Sequence, residues 1–330
     1  MKRNISTIAM LISALTPAIA FSELNDSNTE NNPQPKPDIR VLSESRSADN
    51  YWTAERLRAA KPMPEPEVSD EEREQTPSPD SLANPENETT FILEPSRSEP
   101  EESAAWAQGQ PEEANVNQRP FWNAGKLFFS APDGDFNCTA QFVGHKRVLM
   151  TAAHCIRDHK TGAWYKNFVF YQRYKNNSWD KSFQTRCMAV WSDWVTGTDK
   201  QNWSKDYGFL TTHFDSGAGW LGLMSGIPHT QWTAIGYPSN YMEGSYMQKV
   251  NGRLGEKQFN GEVRMDGNPM KKGSSGGAWI AELNTDNASG NYAVGINAKI
   301  LSNYPDSTFG PYFDAKVFDL HKAAKDACYL

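Results

Sequence analysis

From residue 121 to the C-terminus the chain breaks into short runs of alternating apolar and polar residues, separated by turn-forming Gly, Pro, Asn and Asp. That rhythm constrains the fold more than any other feature, because side chains alternating with a period of two bury one face of a strand and wet the other. Many short strands with turn signals between them specify an all-β barrel or sandwich. Candidate strands fall at 125–130, 137–143, 147–152, 168–174, 186–191 and 207–212, with Pro132-Asp133-Gly134-Asp135 turning the chain between the first two. A second set falls at 231–236, 245–250, 261–265, 278–283 and 292–300, and 315–328 has helical character. A segment this long holds one sizeable core or two small barrels sharing an interface.

Residues 21–119 read differently. They carry 22 Asp and Glu against 9 Lys and Arg, hold 12 of the 20 prolines, and contain no cysteine. Residues 120–330 carry 18 acidic against 22 basic residues. An acidic, proline-rich tract buries too little apolar surface to offset its chain entropy, so 21–119 is expected to be largely disordered, as a pro-segment or linker. One island stands out: Thr53 as N-cap, Trp52 and Leu57 placed as a hydrophobic staple, and Pro62 as a stop predict a short helix that docks on something. The first 20 residues read as an export signal, with basic Lys2 and Arg3, an apolar run at 5–15 and the small-residue site Ala18-Ile19-Ala20. That run is too short to anchor in a bilayer, and no later segment is long and apolar enough to span one. A secreted protein, extracellular or periplasmic, is expected.

Two motifs carry chemistry. Gly273-Ser274-Ser275-Gly276-Gly277 sets a hydroxyl on a tight turn, where glycines let N–H groups converge on a developing negative oxygen. Thr151-Ala152-Ala153-His154-Cys155 ends an apolar run with the base that a hydroxyl nucleophile requires at neutral pH. In the order His then Ser, these motifs resemble the trypsin/chymotrypsin-like serine peptidases. The resemblance covers nearly all of 120–330, although its specific motifs occupy few residues. Gly125-Lys126-Leu127-Phe128-Phe129 and Gly236-Tyr237-Pro238 look most like the bacterial and fungal branch that includes glutamyl endopeptidases.

The resemblance implies two six-stranded antiparallel β-barrels with a C-terminal helix, and a secreted serine endopeptidase acting on protein or peptide substrates. It places an Asp between His and Ser, and Asp206 fits because it leads directly into an apolar strand; Asp193 and Asp199 are the rivals. It further implies Ser275 as nucleophile, His154 as base, Asp206 as orienting acid, and the backbone N–H groups of Gly273 and Ser275 as oxyanion hole. The substrate pocket would involve Pro269, Met270, Asn297 and Ala298. Pro269 stands where a basic-specific enzyme carries a carboxylate, and Asn297 where glutamyl endopeptidases carry a His, so the side-chain preference stays open. Segment 51–60 is similar to aromatic-Trp-Thr helices in pro-regions of secreted peptidases, which makes the chain's own pro-segment an expected partner in cis.

All four cysteines lie after residue 120, as suits an oxidising destination, and four cysteines allow three pairings. The family's bridge beside its catalytic His implies Cys138–Cys155, closing a loop of ~18 residues for about 3 kcal/mol in the chain-entropy model. Cys187 and Cys328 are then left to pair. Nothing near 90–125 resembles the Ile-Val-Gly-Gly start of digestive zymogens, and Ser274 stands where those enzymes carry an Asp. Activation through a freed amine is therefore not expected. No cofactor and no metal are expected: Asp133-Gly134-Asp135 reads as a hairpin turn, and His145 and His159 read as surface residues. A net charge this dispersed argues against nucleic acid, and a monomer is expected. The alternatives are a secreted binding or adhesion protein on a peptidase fold, and an esterase using the same triad.

Overall fold

The computed structural model of the chain describes residues 34–42, 50–64, 67–68, 90–95, 110–198, 200–258, 261–287 and 289–328. The export signal at 1–20 and Asp199 lie outside them. In chain order the N-terminal tract supplies β1 (Pro37–Val41), α1 (Ala54–Ala59), β2 (Lys61–Pro62), β3 (Glu67–Val68), β4 (Ile92–Leu93) and β5 (Glu112–Glu113). The first barrel follows with β6 (Ala124–Ala131), β7 (Gly134–Phe142), β8 (Val148–Thr151), β9 (Lys166–Gln172), β10 (Lys181–Trp191) and β11 (Gly208–Thr212). Next come β12 (Gly222–Met224), β13 (Gln231–Gly236), β14 (Gln248–Gln258), β15 (Glu262–Asp266), β16 (Ala278–Ala281), β17 (Tyr292–Ile296), β18 (Ile300–Leu301), β19 (Ser307–Pro311) and α2 (Lys316–Cys328).

The first six-stranded barrel closes. Strands run β10-β11-β8-β7-β6-β9, and β9 returns to pair with β10. The turn at 132–133 joins β6 to β7 with Ala131 opposite Gly134, as the turn residues require. Inside, Phe142, Phe170 and Phe183 meet edge-on or tilted, with centroids 5.2–6.1 Å apart. Such aromatic contacts add directional attraction to a large burial.

The second barrel is a six-strand run, β19-β15-β14-β13-β16-β17, whose ends meet without a continuous ladder. A bridge between Lys299 and Phe309, with Ala298 N–H donating to Phe309 O at 2.9 Å, draws them together. Stacked Trp232 and Trp279 fill its core, both 1% exposed. Several strands depart from the sequence reading: no candidate covered β12, and 292–300 divides into β17 and β18. β10 and β14 extend beyond 186–191 and 245–250, and β19 was not foreseen, because Ser307–Pro311 carries Gly310 and Pro311 inside five residues. β10 is held by ladders to β1, β9 and β11, β14 by β13 and β15, and β19 by β15, and this tertiary pairing outweighs local propensity.

The described stretches of the acidic tract are seated on the barrels. β1 pairs antiparallel with β10, β4 with β12, and β5 with β14. Helix α1 forms where predicted, with Thr53 Oγ1 accepting the N–H of Arg56. Trp52 is 8% exposed, meets Phe128 edge-on at 5.5 Å, and donates its indole N–H to Asn167 O. A few well-spaced apolar residues suffice to dock short stretches of a tract whose average composition is polar.

Helix α2 packs Val317, Leu320 and Ala324 against the first barrel, and the Cys187–Cys328 disulfide ties its end to β10. Cys138 and Cys155 form the second disulfide. Trp194, Trp232 and Trp279 are core residues. His145 and His159 are half-buried rather than on the surface, His145 against Trp220 and His159 against Trp194 and Gln201.

Candidate active site

β8 delivers the imidazole. Its last residue, Thr151, leads into a single helical turn, Ala153–Cys155, and the Cys138–Cys155 disulfide fixes that turn to β7. β11 runs beside β8 with Gly208 opposite Thr151, so the residues preceding β11 fall next to those following β8. Asp206 is brought to His154 in this way. Its Oδ2 lies 2.7 Å from His154 Nδ1, and its Oδ1 accepts the backbone N–H of His154 at 2.9 Å. Both residues are buried, Asp206 at 0% and His154 at 4% exposure. The two bonds fix the ring plane and favour the tautomer with its proton on Nδ1. Asp193 sits elsewhere, bonded to Asn202 Nδ2 at 3.2 Å, and burial raises its pKa.

Ser275 lies on the turn before β16, in the second barrel. Gly273 and Gly276 adopt φ of +91° and +83°, which L side chains rarely tolerate. A Cβ on Gly276 would stand 2.1 Å from Thr151 Oγ1 and 2.5 Å from Thr139 O. The turn is held from the opposite barrel by β7. Thr139 N–H donates to Ser275 O, Thr139 Oγ1 to Gly273 O, and Gln141 Nε2 to Gly276 O, each at 2.9 Å. Gln141 Oε1 accepts from Ala278 N–H at 3.0 Å. Sequence reasoning missed these two positioning residues. Their signal is Asn137, Thr139 and Gln141 at alternate places, three polar side chains on one face of a strand, all buried.

On the expected substrate pocket, Pro269 is partly exposed, while Met270, Asn297 and Ala298 are buried. Asn297 spends its amide internally: Oδ1 accepts from Asn268 Nδ2 and Trp279 Nε1, and Nδ2 donates to Ile235 O and Ser274 O. It braces the turn that bears Ser275.

The N-terminal tract brackets the same turn. Met63 N–H donates to Asn137 O at 2.9 Å, Asn137 Nδ2 donates to Ala60 O at 3.0 Å, and Pro62 lies against Gly273. On the other flank β3 pairs with β18, three residues beyond Asn297. Both pairings, β2 with β7 and β3 with β18, are parallel. Ser275 is 0% exposed. The cluster Cys138, His154 and Cys155 is the metal-like grouping among the described residues, but both sulfurs are in the disulfide.

Strand order, the barrel junction and the C-terminal helix together define the trypsin/chymotrypsin-like serine peptidase fold. Solved structures share it. A thermostable serine protease, AL20, from an extremophilic microorganism is 23% identical, with a TM-score of 0.55 over 62% of this chain and 97% of that one. Protease Anisep from Arthrobacter nicotinovorans is 20% identical, with a TM-score of 0.53 over 62% and 95%. A Glu endopeptidase is 17% identical, with a TM-score of 0.54 over 66% and 96%. Neither a family model nor a curated protein matches the sequence.

Proposed function

We propose that this chain is an exported serine endopeptidase, acting as a monomer and held latent by its own N-terminal tract. The observation that carries the reading is the doubly bonded His154–Asp206 pair, 2.7 Å at its side-chain contact, beside a nucleophile turn built around two positive-φ glycines. Ser275 Oγ attacks the peptide carbonyl while His154 takes its proton, and Asp206 stabilises the imidazolium. The N–H groups of Gly273 and Ser275 receive the oxyanion, a role worth about 3 kcal/mol per donor. The C–N bond then breaks, the amine leaves with the proton from His154, and water hydrolyses the acyl ester by the same path in reverse. Two disulfides suit an oxidising destination.

Latency follows from the flanking pairings. Lys61–Pro62 and Glu67–Val68 take backbone contacts on either side of the nucleophile turn, and Pro62 stands over the oxyanion glycine.

The test is a fluorophosphonate probe with a peptide-library digest, on the full chain and on a full chain with Trp52→Ala and Met63→Pro to loosen the tract. Labelling of Ser275 and cleavage that rise together in the loosened chain are expected. A non-catalytic binding protein would give neither, and an esterase would label without cutting peptides.

A further inference from the structure

Beside the nucleophile turn lies a cavity of about 350 Å³ that the catalytic groups do not use. Its walls include Lys126, Asn137, Tyr174 and Tyr237 of the peptidase domain, and Leu57, Arg58 and Pro62 of the N-terminal tract cap it. Lys126 is the unusual member. It sits mid-strand in β6 between Gly125 and Leu127, at 7% exposure. Its Nζ donates to Gly244 O at 2.7 Å and stands 5.2 to 5.9 Å from the ring centres of Phe128, Tyr174 and Tyr237.

Among the described residues no carboxylate lies within ion-pair distance of Lys126. One carbonyl and three ring faces compensate only part of the cost of desolvating an ammonium. A Met or Leu would fill the same space without that cost. What the position lacks among the described residues is an anion, and the cavity in front of it has room for a side chain.

The cavity is coupled to the site. Asn137 lines it and gives its backbone carbonyl to an extended segment, now Met63. Tyr237 lines it too, and its carbonyl faces Gly273. A peptide laid along the 137 edge therefore directs a side chain into this space. The opposite flank, at 269–270 and 297–298, is where the family resemblance puts the pocket for the acyl-side residue.

On the reading of the chain as a peptidase, we propose that the Lys126 cavity is a second specificity site, which receives an aspartate or glutamate side chain of the substrate on the leaving-group side of the scissile bond. The other charged or titratable groups on the cavity are Arg58 from α1, Glu243 from the turn Met242–Gly244, and the phenols of Tyr174 and Tyr237. Arg58 departs with the tract. Glu243 is exposed, so solvent screens its charge. Burial raises both phenols, which stay neutral. Burial pulls the Lys126 ammonium down to about 8. Attraction needs the protonated amine, so acidic preference is complete near neutral pH and fades as pH rises beyond about 8, somewhat later once a carboxylate is bound.

Pairs of peptides differing only by Glu or Gln at each position after the cleavable bond test this. Binding is read by fluorescence anisotropy on the full chain with Trp52→Ala, Met63→Pro and Ser275→Ala, which requires no turnover. kcat/KM is read on the same chain retaining Ser275. A preference for Glu of about tenfold or more at pH 7 at one position is expected in both measurements, falling below about twofold in Lys126→Met. In the chain that keeps Lys126, the same preference is expected to fall between pH 7 and pH 10, which decides the matter if Lys126→Met fails to fold. Equal handling of Glu and Gln at every position, absence of binding, or a preference untouched by both Lys126→Met and pH overturns the proposal. Turnover without Glu preference would sink the cavity assignment and leave the peptidase reading intact. Glu-preferring binding without turnover would do the reverse.

Discussion

The turn that bears Ser275 belongs to one barrel and is held by the other. Thr139 and Gln141 together satisfy the carbonyls of Gly273, Ser275 and Gly276 and the N–H of Ala278. Gln141→Leu leaves two of these buried groups, Gly276 O and Ala278 N–H, without that partner, each costing about 1–3 kcal/mol. A lower melting temperature is expected, with kcat reduced more than KM because the oxyanion donors lose their positions. An unchanged kcat would remove Gln141 from the positioning role. Ser275→Ala, His154→Ala and Asp206→Asn should each nearly abolish turnover while the fold persists by circular dichroism. Double replacements should cost little beyond one, since the groups act as a unit. Substantial peptidase activity in Ser275→Ala would end the triad assignment. The His154–Asp206 contact and the glycine turn around Ser275 were legible because each needs particular residue types beside glycines or an apolar run. Thr139 and Gln141 were not, because their partners lie over 130 residues away and only the barrel packing brings them together.

Among the elements, helix α2 contains a group that senses acid. His321 is buried, donates from Nε2 to Val143 O at 3.0 Å, and meets Phe209 edge-on. Burial lowers its pKa from 6.5 to about 4. Above pH 6.5 the ring is neutral in both folded and unfolded chains. As pH falls below that value the unfolded chain takes up a proton that the folded chain refuses until near pH 4. Stability is therefore lost between those limits, by up to about 3 kcal/mol. Thermal melts from pH 7 to pH 4 should show that slope, and His321→Gln, which keeps a donor for Val143 O, should flatten it. An identical slope in the variant would assign the acid sensitivity to other groups. The helix itself was readable from 315–328, whereas β4 and β5 were not: two-residue strands such as Ile92–Leu93 carry no periodicity, and only a partner edge defines them.

Across the whole molecule, an acidic tract lies on a mildly basic domain. Arg56–Asp135 at 2.9 Å, Lys175–Glu113 at 2.7 Å, and the Lys249–Glu112 and Arg157–Asp38 pairs span the two, beside the apolar anchors Trp52 and Leu57. Exposed pairs weaken with salt over a screening length of about 8 Å, while buried anchors do not. Added in trans to a chain lacking it, the tract should inhibit more strongly at low salt, keep part of its effect at high salt, and lose affinity on Trp52→Ala. Inhibition independent of both would reduce it to a linker. The strand Pro37–Val41 carries a separate consequence. It supplies five consecutive backbone partners to Cys187–Trp191. If maturation discards it, that stretch becomes a raw edge open to recruitment by any extended chain. A nick within 43–49 would instead leave the strand annealed as a short second polypeptide. Protein isolated after a cut in the tract should then either carry this non-covalent fragment through gel filtration or begin to stick to its own copies.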